Sequence, residues 1–293
     1  MPSRYVLAMG RGRAVHLAAL GSCAGLAYWS LWHEPRRLVV RREQLVLPSW
    51  PAALDGLRVG LLSDLHAGMP HAGLDAMARA ADALNAERPD VVCLLGDFID
   101  RRAFFAQPVD AEALAGRLGR LRAPRGVFAV LGNHDWYAGA GRIAAGLAGV
   151  GIPILEDQAA EAGDGLWAVG VGDYRIRGAR VARALSGVPD DDAVLLLSHD
   201  PDVFPIVPPR VALTVAGHTH GGQIGIRYLR RPFIPSHYGE RYVQGHVAEG
   251  GRHLYVTSGV GTSGFPVRLL RPPEVVILTL RAPSPAASPR ARP

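Results

Sequence analysis

Five short apolar runs in this chain each end in a cluster of Asp, Asn or His. Leu57–Leu62 ends in Ser63-Asp64-Leu65-His66, and Val91–Leu95 in Gly96-Asp97-Phe98-Ile99-Asp100. Val127–Leu131 ends in Gly132-Asn133-His134-Asp135, and Val194–Leu197 in Ser198-His199-Asp200. Val211–Ala216 ends in Gly217-His218-Thr219-His220-Gly221-Gly222. Runs this short, bounded by turn formers, read as buried strands. Helical spacing occupies 74–86, 110–121 and 140–150 between them. The alternation predicts an α/β domain with a largely parallel central sheet. Further strands are expected at 152–155, 166–171, 254–257 and 275–280, and a helix at 177–186. Residues 44–56 read as a linker or edge segment, and 223–250 as a long functional loop.

Charge separates the ends from the body. The chain of 293 residues carries +6, of which residues 1–43 contribute +5 and the tail from Arg281 onward +3, leaving −2 for 44–280. Basic character confined to the ends argues against a nucleic-acid partner and for membrane lipid. Ala14–Trp32 holds no Asp, Glu, Lys or Arg, follows Arg4, Arg11 and Arg13, precedes Arg36, Arg37, Arg41 and Arg42, and ends in Trp29 and Trp32. An uncleaved membrane-anchor helix through Ala14–Trp32, within an anchor segment over 1–43, is the preferred expectation. A cleaved signal peptide, a lipoprotein site at Cys23 and a buried helix remain open beside it. The body is expected over 44–281, and a disordered tail over 282–293. Two cysteines, Cys23 and Cys93, give no disulfide framework.

In an open α/β sheet, sites gather beyond the carboxyl ends of strands. Five such ends therefore place Asp64, His66, Asp97, Asn133, His199, His218 and His220 toward one crevice. Taken singly, each cluster has a plainer reading. Asp-x-His serves turns, Gly-Asp-x-x-Asp caps helices, Asn-His-Asp forms Asx-turns, and a lone His is a hydrogen-bonded core residue. Their joint occurrence, with five of eleven histidines inside them, points to metal binding. Hard oxygen donors with imidazoles and no thiolate suit Mn²⁺, Fe or Zn²⁺. So many ligands exceed what one ion needs, so two ions sharing a carboxylate is the natural reading.

The ordered series Asp64-x-His66, Gly96-Asp97-x-x-Asp100, Gly132-Asn133-His134-Asp135, His199 and Gly217-His218-x-His220 resembles the calcineurin-like metallophosphoesterases. Gly221-Gly222-Gln223-Ile224 and the apolar N-terminal segment resemble the bacterial YkuE/YaeI-type membrane-associated phosphodiesterase branch. The resemblance implies two mixed β-sheets packed as a sandwich flanked by helices. It implies that Asp64, His66, Asp97 and His220 hold one metal, and Asp97, Asn133, His199 and His218 the other. His134 would approach the scissile phosphate, oriented by Asp135, and Asp100 would cap a helix or support the ligands. The alternation of an extended segment would aim His218 and His220 into the crevice and Thr219 away.

The reaction expected is two-metal hydrolysis of a phosphodiester or pyrophosphate bond by a hydroxide held between the ions. Arg101, Arg102, Arg227, Arg231, His237 and Tyr242 are candidates for phosphate and sugar recognition. Phe233, Ile234 and Phe265 are candidates for an acyl-chain entry. The expected substrate is a membrane lipid or nucleotide-linked lipid such as UDP-2,3-diacylglucosamine, at the bacterial inner membrane. The alternatives are a phosphodiesterase of soluble nucleotides and a non-catalytic metal-binding membrane scaffold.

Overall fold

The computed structural model of the chain describes residues 4–283, with side chains described from His16 onward. Among the described residues, eleven strands form two sheets. The first is β1 (Val39–Val46), β2 (Arg58–Leu62), β3 (Val91–Leu94), β4 (Val127–Ala129) and β11 (Glu274–Arg281), in the order β1-β11-β2-β3-β4. The second takes β5 (Gln158–Glu161), β6 (Leu166–Gly170), β7 (Ala193–Leu197), β8 (Leu213–Ala216), β9 (Gly245–Glu249) and β10 (Arg252–Val256), in the order β5-β6-β7-β8-β10-β9. β2-β3-β4 and β6-β7-β8-β10 are parallel, whereas β11 joins β2, β5 joins β6 and β9 joins β10 antiparallel. Two mixed sheets therefore replace the one largely parallel sheet that the alternation alone predicts.

Strand alternation explains the layering. Val59, Leu61, Val91, Cys93, Val276 and Leu278 of the first sheet face Leu195, Leu197, Leu213 and Val215 of the second in one core. Their neighbours Leu62, Val92, Leu94 and Ile277 turn outward beneath helices α2 (Leu74–Ala86), α3 (Ala111–Leu118) and α5 (Ala140–Gly149), the last preceded by the short α4 (Asn133–Ala138). Val169, Val194 and Leu196 do the same beneath the short helix at Val181–Ala184. Strands covered on both faces need apolar residues at every position, which is why these runs are continuous rather than alternating.

The N-terminal segment differs from expectation. Helix α1 (Arg4–Tyr28) ends inside the apolar run, and the chain continues as a π turn at Trp29–His33 and a 3₁₀ turn at Glu34–Arg36. Ser30, Glu34 and Pro35 are buried. Among the described residues no helix is long and apolar enough to cross a membrane. The reason is geometric: a span needs ~20 apolar residues in one helix, and here the run is divided between a helix and a docked collar. β1 continues the chain into the first sheet from Val39, so residue 43 lies within a strand. The tail expected over 282–293 lies, after Pro283, outside the described residues.

Candidate metal centre

The five strand ends converge. β2, β3 and β4 deliver Asp64, His66, Asp97 and Asn133, while β7 and β8 deliver His199, His218 and His220 across the sandwich. The loops after β2 and β3 run side by side, Asp64 N–H donating to the Gly96 carbonyl and His66 N–H to the Asp97 carbonyl. Five of the seven adopt left-handed backbone: Asp64 (φ 51°), His66 (44°), Asp97 (54°), His218 (69°) and His220 (51°). Each such non-glycine residue costs about 1 kcal/mol or more, a strain that accumulates at functional sites. The expected pleat alternation at His218 and His220 is therefore wrong. β8 stops at Ala216, and a tight turn aims both rings, while the Thr219 hydroxyl donates to the Val243 carbonyl.

Donor atoms cluster around two adjacent points. Around the first, His66 Nε2 lies 3.0 Å from His220 Nε2 and 3.4 Å from Asp97 Oδ2, and His220 Nε2 lies 3.5 Å from Asp64 Oδ1. Around the second, His199 Nε2 lies 3.0 Å from His218 Nδ1 and 3.2 Å from Asp97 Oδ2. One Asp97 oxygen thus borders both, and the other accepts the His134 N–H. Asn133 Oδ1 is buried without a hydrogen-bond partner.

Tautomers test whether cations fit. The Leu95 carbonyl takes the Nδ1–H of His199 at 2.7 Å, and the Pro235 carbonyl takes the Nε2–H of His218 at 3.0 Å. A carbonyl only accepts, so in the neutral rings His199 Nε2 and His218 Nδ1 both present lone pairs, 3.0 Å apart. Asp100 likewise takes the Nδ1–H of His66, leaving Nε2 to face His220. Facing lone pairs repel unless a positive charge lies between them. Burial disfavours a charged His199, yet Asp97 outweighs it and holds this imidazole well above its usual range. Burial, then His199, pushes His218 well below its own range, and burial, then His66, does the same to His220. The site favours shared positive charge, and its Asp and His donors suit a dinuclear metal site.

Asp135 does not orient His134. Its carboxylate accepts the N–H groups of Asp97 (2.8 Å), Phe98 (2.7 Å) and Gly132 (2.9 Å), fixing the loop after β3. Burial and the Asp97 charge push it up to about 7. Asp100 is the group beside His134, its Oδ2 lying 3.2 Å from His134 Nδ1 and 3.2 Å from His66 Nδ1. Burial opposes charge on His134, but the contacts with Asp100 and Asp97 raise it above its usual value.

A cleft of about 230 Å³ opens over the candidate ligands, lined also by His134, Arg175, Gln223, Phe233 and Pro235. None of the six expected recognition residues lines it. Arg101 borders a separate cavity of about 580 Å³ beside α3 and α5. Arg102 lies 4.3 Å over the Tyr137 ring. Arg227 and Arg231 are exposed, and His237 is exposed with its backbone N–H on Asp202. Tyr242 is 1% exposed and packs with Phe204, so it is core. Of the proposed apolar entry, Phe233 lines the cleft, Phe265 is exposed and follows its lining residue Gly264, and Ile234 is buried. Arg175 is the cation that the sequence reading missed. It follows Leu166–Val171, a further apolar run ending in Gly172-Asp173, which was the available signal. Its Nε donates to Asp200 Oδ2 at 2.7 Å.

Acid and imidazole donors around two adjacent points, on this sandwich, define the class of metal-dependent phosphoesterases. Residues 57–222 match the calcineurin-like phosphoesterase family. A metallophosphoesterase of Aquifex aeolicus is 33% identical over 75% of this chain and 83% of its own. The metallophosphoesterase YkuE of Bacillus subtilis is 27% identical over 96% and 98%, and the phosphodiesterase YaeI of Escherichia coli 30% over 90% and 95%. The chain belongs to the calcineurin-like phosphoesterase family.

Proposed function

We propose that this protein hydrolyses a phosphodiester or pyrophosphate bond using two divalent cations, Mn²⁺, Fe or Zn²⁺. Asp64, His66, Asp97 and His220 hold one, and Asp97, Asn133, His199 and His218 the other. The two pairs of imidazole nitrogens at 3.0 Å, bordered by the shared Asp97, carry this reading. Such a cation pair, when bound, polarises phosphoryl oxygens and acidifies water. His134, with Nδ1 beside Asp100, presents its other ring nitrogen to the substrate as proton donor or charge stabiliser. Arg175, braced by Asp200, meets a phosphate oxygen. Asp100 positions His66 and His134, and Asp135 holds the loop that presents Asp97. Phe233 and Pro235 on the cleft wall favour a substrate with an apolar or planar group beside the phosphate, a lipid or nucleotide-linked lipid such as UDP-2,3-diacylglucosamine.

The purified chain with added Mn²⁺ should turn over a bis-aryl phosphate. His134→Ala should keep its metals and lose about 10²–10⁴ in kcat, and full activity in that variant would remove His134 from the chemistry. Metal binding with no turnover under any of the three metals would make the protein a scaffold. A panel of lipid diphosphates, phospholipids and soluble nucleotides then sets the substrate, and preference for soluble nucleotides would overturn the lipid assignment.

A further inference from the structure

A group of exposed large apolar side chains gathers beside the cleft. Ile226, Tyr228, Leu229, Phe233, Phe265 and Leu270 are all exposed, on two loops that border the cleft. Tyr228 is 79% and Phe265 62% exposed. The collar adds Trp29, Leu31 and Trp32, also exposed. Hydrogen bonds from backbone N–H groups tie the three segments into one rim. Gly225 N–H donates to the Leu269 carbonyl, Arg268 N–H to the Ser30 carbonyl, and Leu270 N–H to the Glu34 carboxylate.

The rim is also basic. Residues 226–234 and 263–273 contain no acid. Glu34 is 1% exposed and taken up by Trp29 Nε1 and Leu270 N–H, and Glu240 is taken up by Arg230. Arg36, Arg37, Arg227 and Arg231 are exposed with no carboxylate partner among the described residues. Arg36 lies 3.2 Å over the Trp32 ring, and Arg231 5.8 Å from the Tyr228 ring. Aromatic and aliphatic side chains interleaved with unpaired arginines match the headgroup layer of an anionic bilayer, where rings settle at the interface and cations meet lipid phosphates. A second copy of the chain would bring this basic face, whose two acids are already taken up, against itself.

We propose that the rim seats on an anionic bilayer, so that the cleft opens at the plane of the lipid phosphates. The proposal rests on the phosphoesterase reading only for what the surface delivers, because docking is measured without turnover. The test places single cysteines at Leu229→Cys, Phe265→Cys or Val46→Cys in a Cys23→Ser background of the full chain, each carrying a polarity-sensitive dye. Cys93 is buried and stays unlabelled. Val46 is the control: it is exposed, and β1 parallels β11, which opposes β2, so Val46 lies at the sheet end remote from the ligands.

Phosphatidylcholine vesicles containing phosphatidylglycerol should shift the emission at 229 and 265 to the blue and leave 46 unchanged. Arg227→Glu with Arg231→Glu should weaken that response about tenfold or more. Tyr228→Ser with Leu229→Ser should lose vesicle binding yet hydrolyse the soluble bis-aryl phosphate as before. Failure of that hydrolysis in the parent chain would strike the phosphoesterase reading, not the docking. Vesicle binding with silent dyes at 229 and 265 would overturn the proposal, as would no binding. A blue shift without vesicles that grows with protein concentration would overturn it in favour of a second copy.

Discussion

The Asp100 carboxylate lies 3.2 Å from an imidazole nitrogen of each of His66 and His134, so one side chain touches both a candidate ligand and the candidate proton donor. Asp100→Asn should therefore weaken metal affinity by about 10–100-fold and lower kcat even at saturating metal. Metal titration followed by assay separates the two effects, and normal values of both would remove Asp100 from the site. Asp135→Ala should act differently. It strips the partners from buried N–H groups and should destabilise the fold by at least about 1–3 kcal/mol, read by urea unfolding. The candidate ligands were legible in sequence because acids, amides and imidazoles at the ends of apolar runs have few other reasons to gather. The partner of His134 was not. Asp135 adjoins it in the chain, but consecutive residues on a helix point different ways, and both open the helix Asn133–Ala138. Tyr242 was misread for a similar reason, since a Tyr beside Arg241 reads as surface until its ring is seen in the core.

Close approach of turns, rather than strand pleat, shapes the elements around the site. A Cβ on Gly217 would fall 2.0 Å from Ser63 Oγ and 2.4 Å from Asp64 Oδ2, and one on Gly132 would fall 2.2 Å from Asp97 Oδ1. Gly217→Ala should displace Asp64, reduce the metal content and destabilise the protein by about 1–3 kcal/mol. Unchanged metal content would show that the turn has room to move. The strands that sequence reading missed, β1, β5 and β9, all lie at sheet edges. An edge strand pairs on one side and meets solvent, so Arg41-Arg42-Glu43 and Gln158–Glu161 need no apolar run. Central strands, covered on both faces, announced themselves. Ile152–Leu155, expected as a strand, contributes only the isolated bridge of Ile154 to Ala129.

Across the whole molecule, Glu274 joins the sheets. From the start of β11 it accepts from Arg41 of β1 (2.7 Å) and from Thr257 Oγ1 (3.0 Å) and Ser258 N–H (2.8 Å), which follow β10. Burial works against its charge, but the Ser258 N–H and Arg41 hold this carboxyl below its usual value. A depressed carboxylate stabilises the fold fully above its unfolded value, and that contribution disappears as pH falls through the folded one. Glu274→Gln should cost about 1–3 kcal/mol at neutral pH and flatten the acid side of the stability profile. An unaltered profile would deny Glu274 this part. The central proposal is that one carboxylate, Asp97, with Oδ2 3.4 Å from His66 Nε2 and 3.2 Å from His199 Nε2, serves two ions. It is tested most directly by metal content after chelation and reloading with Mn²⁺. The wild-type chain should bind two ions and Asp97→Ala none. One ion in the wild type, or either ion retained in Asp97→Ala, would contradict the account.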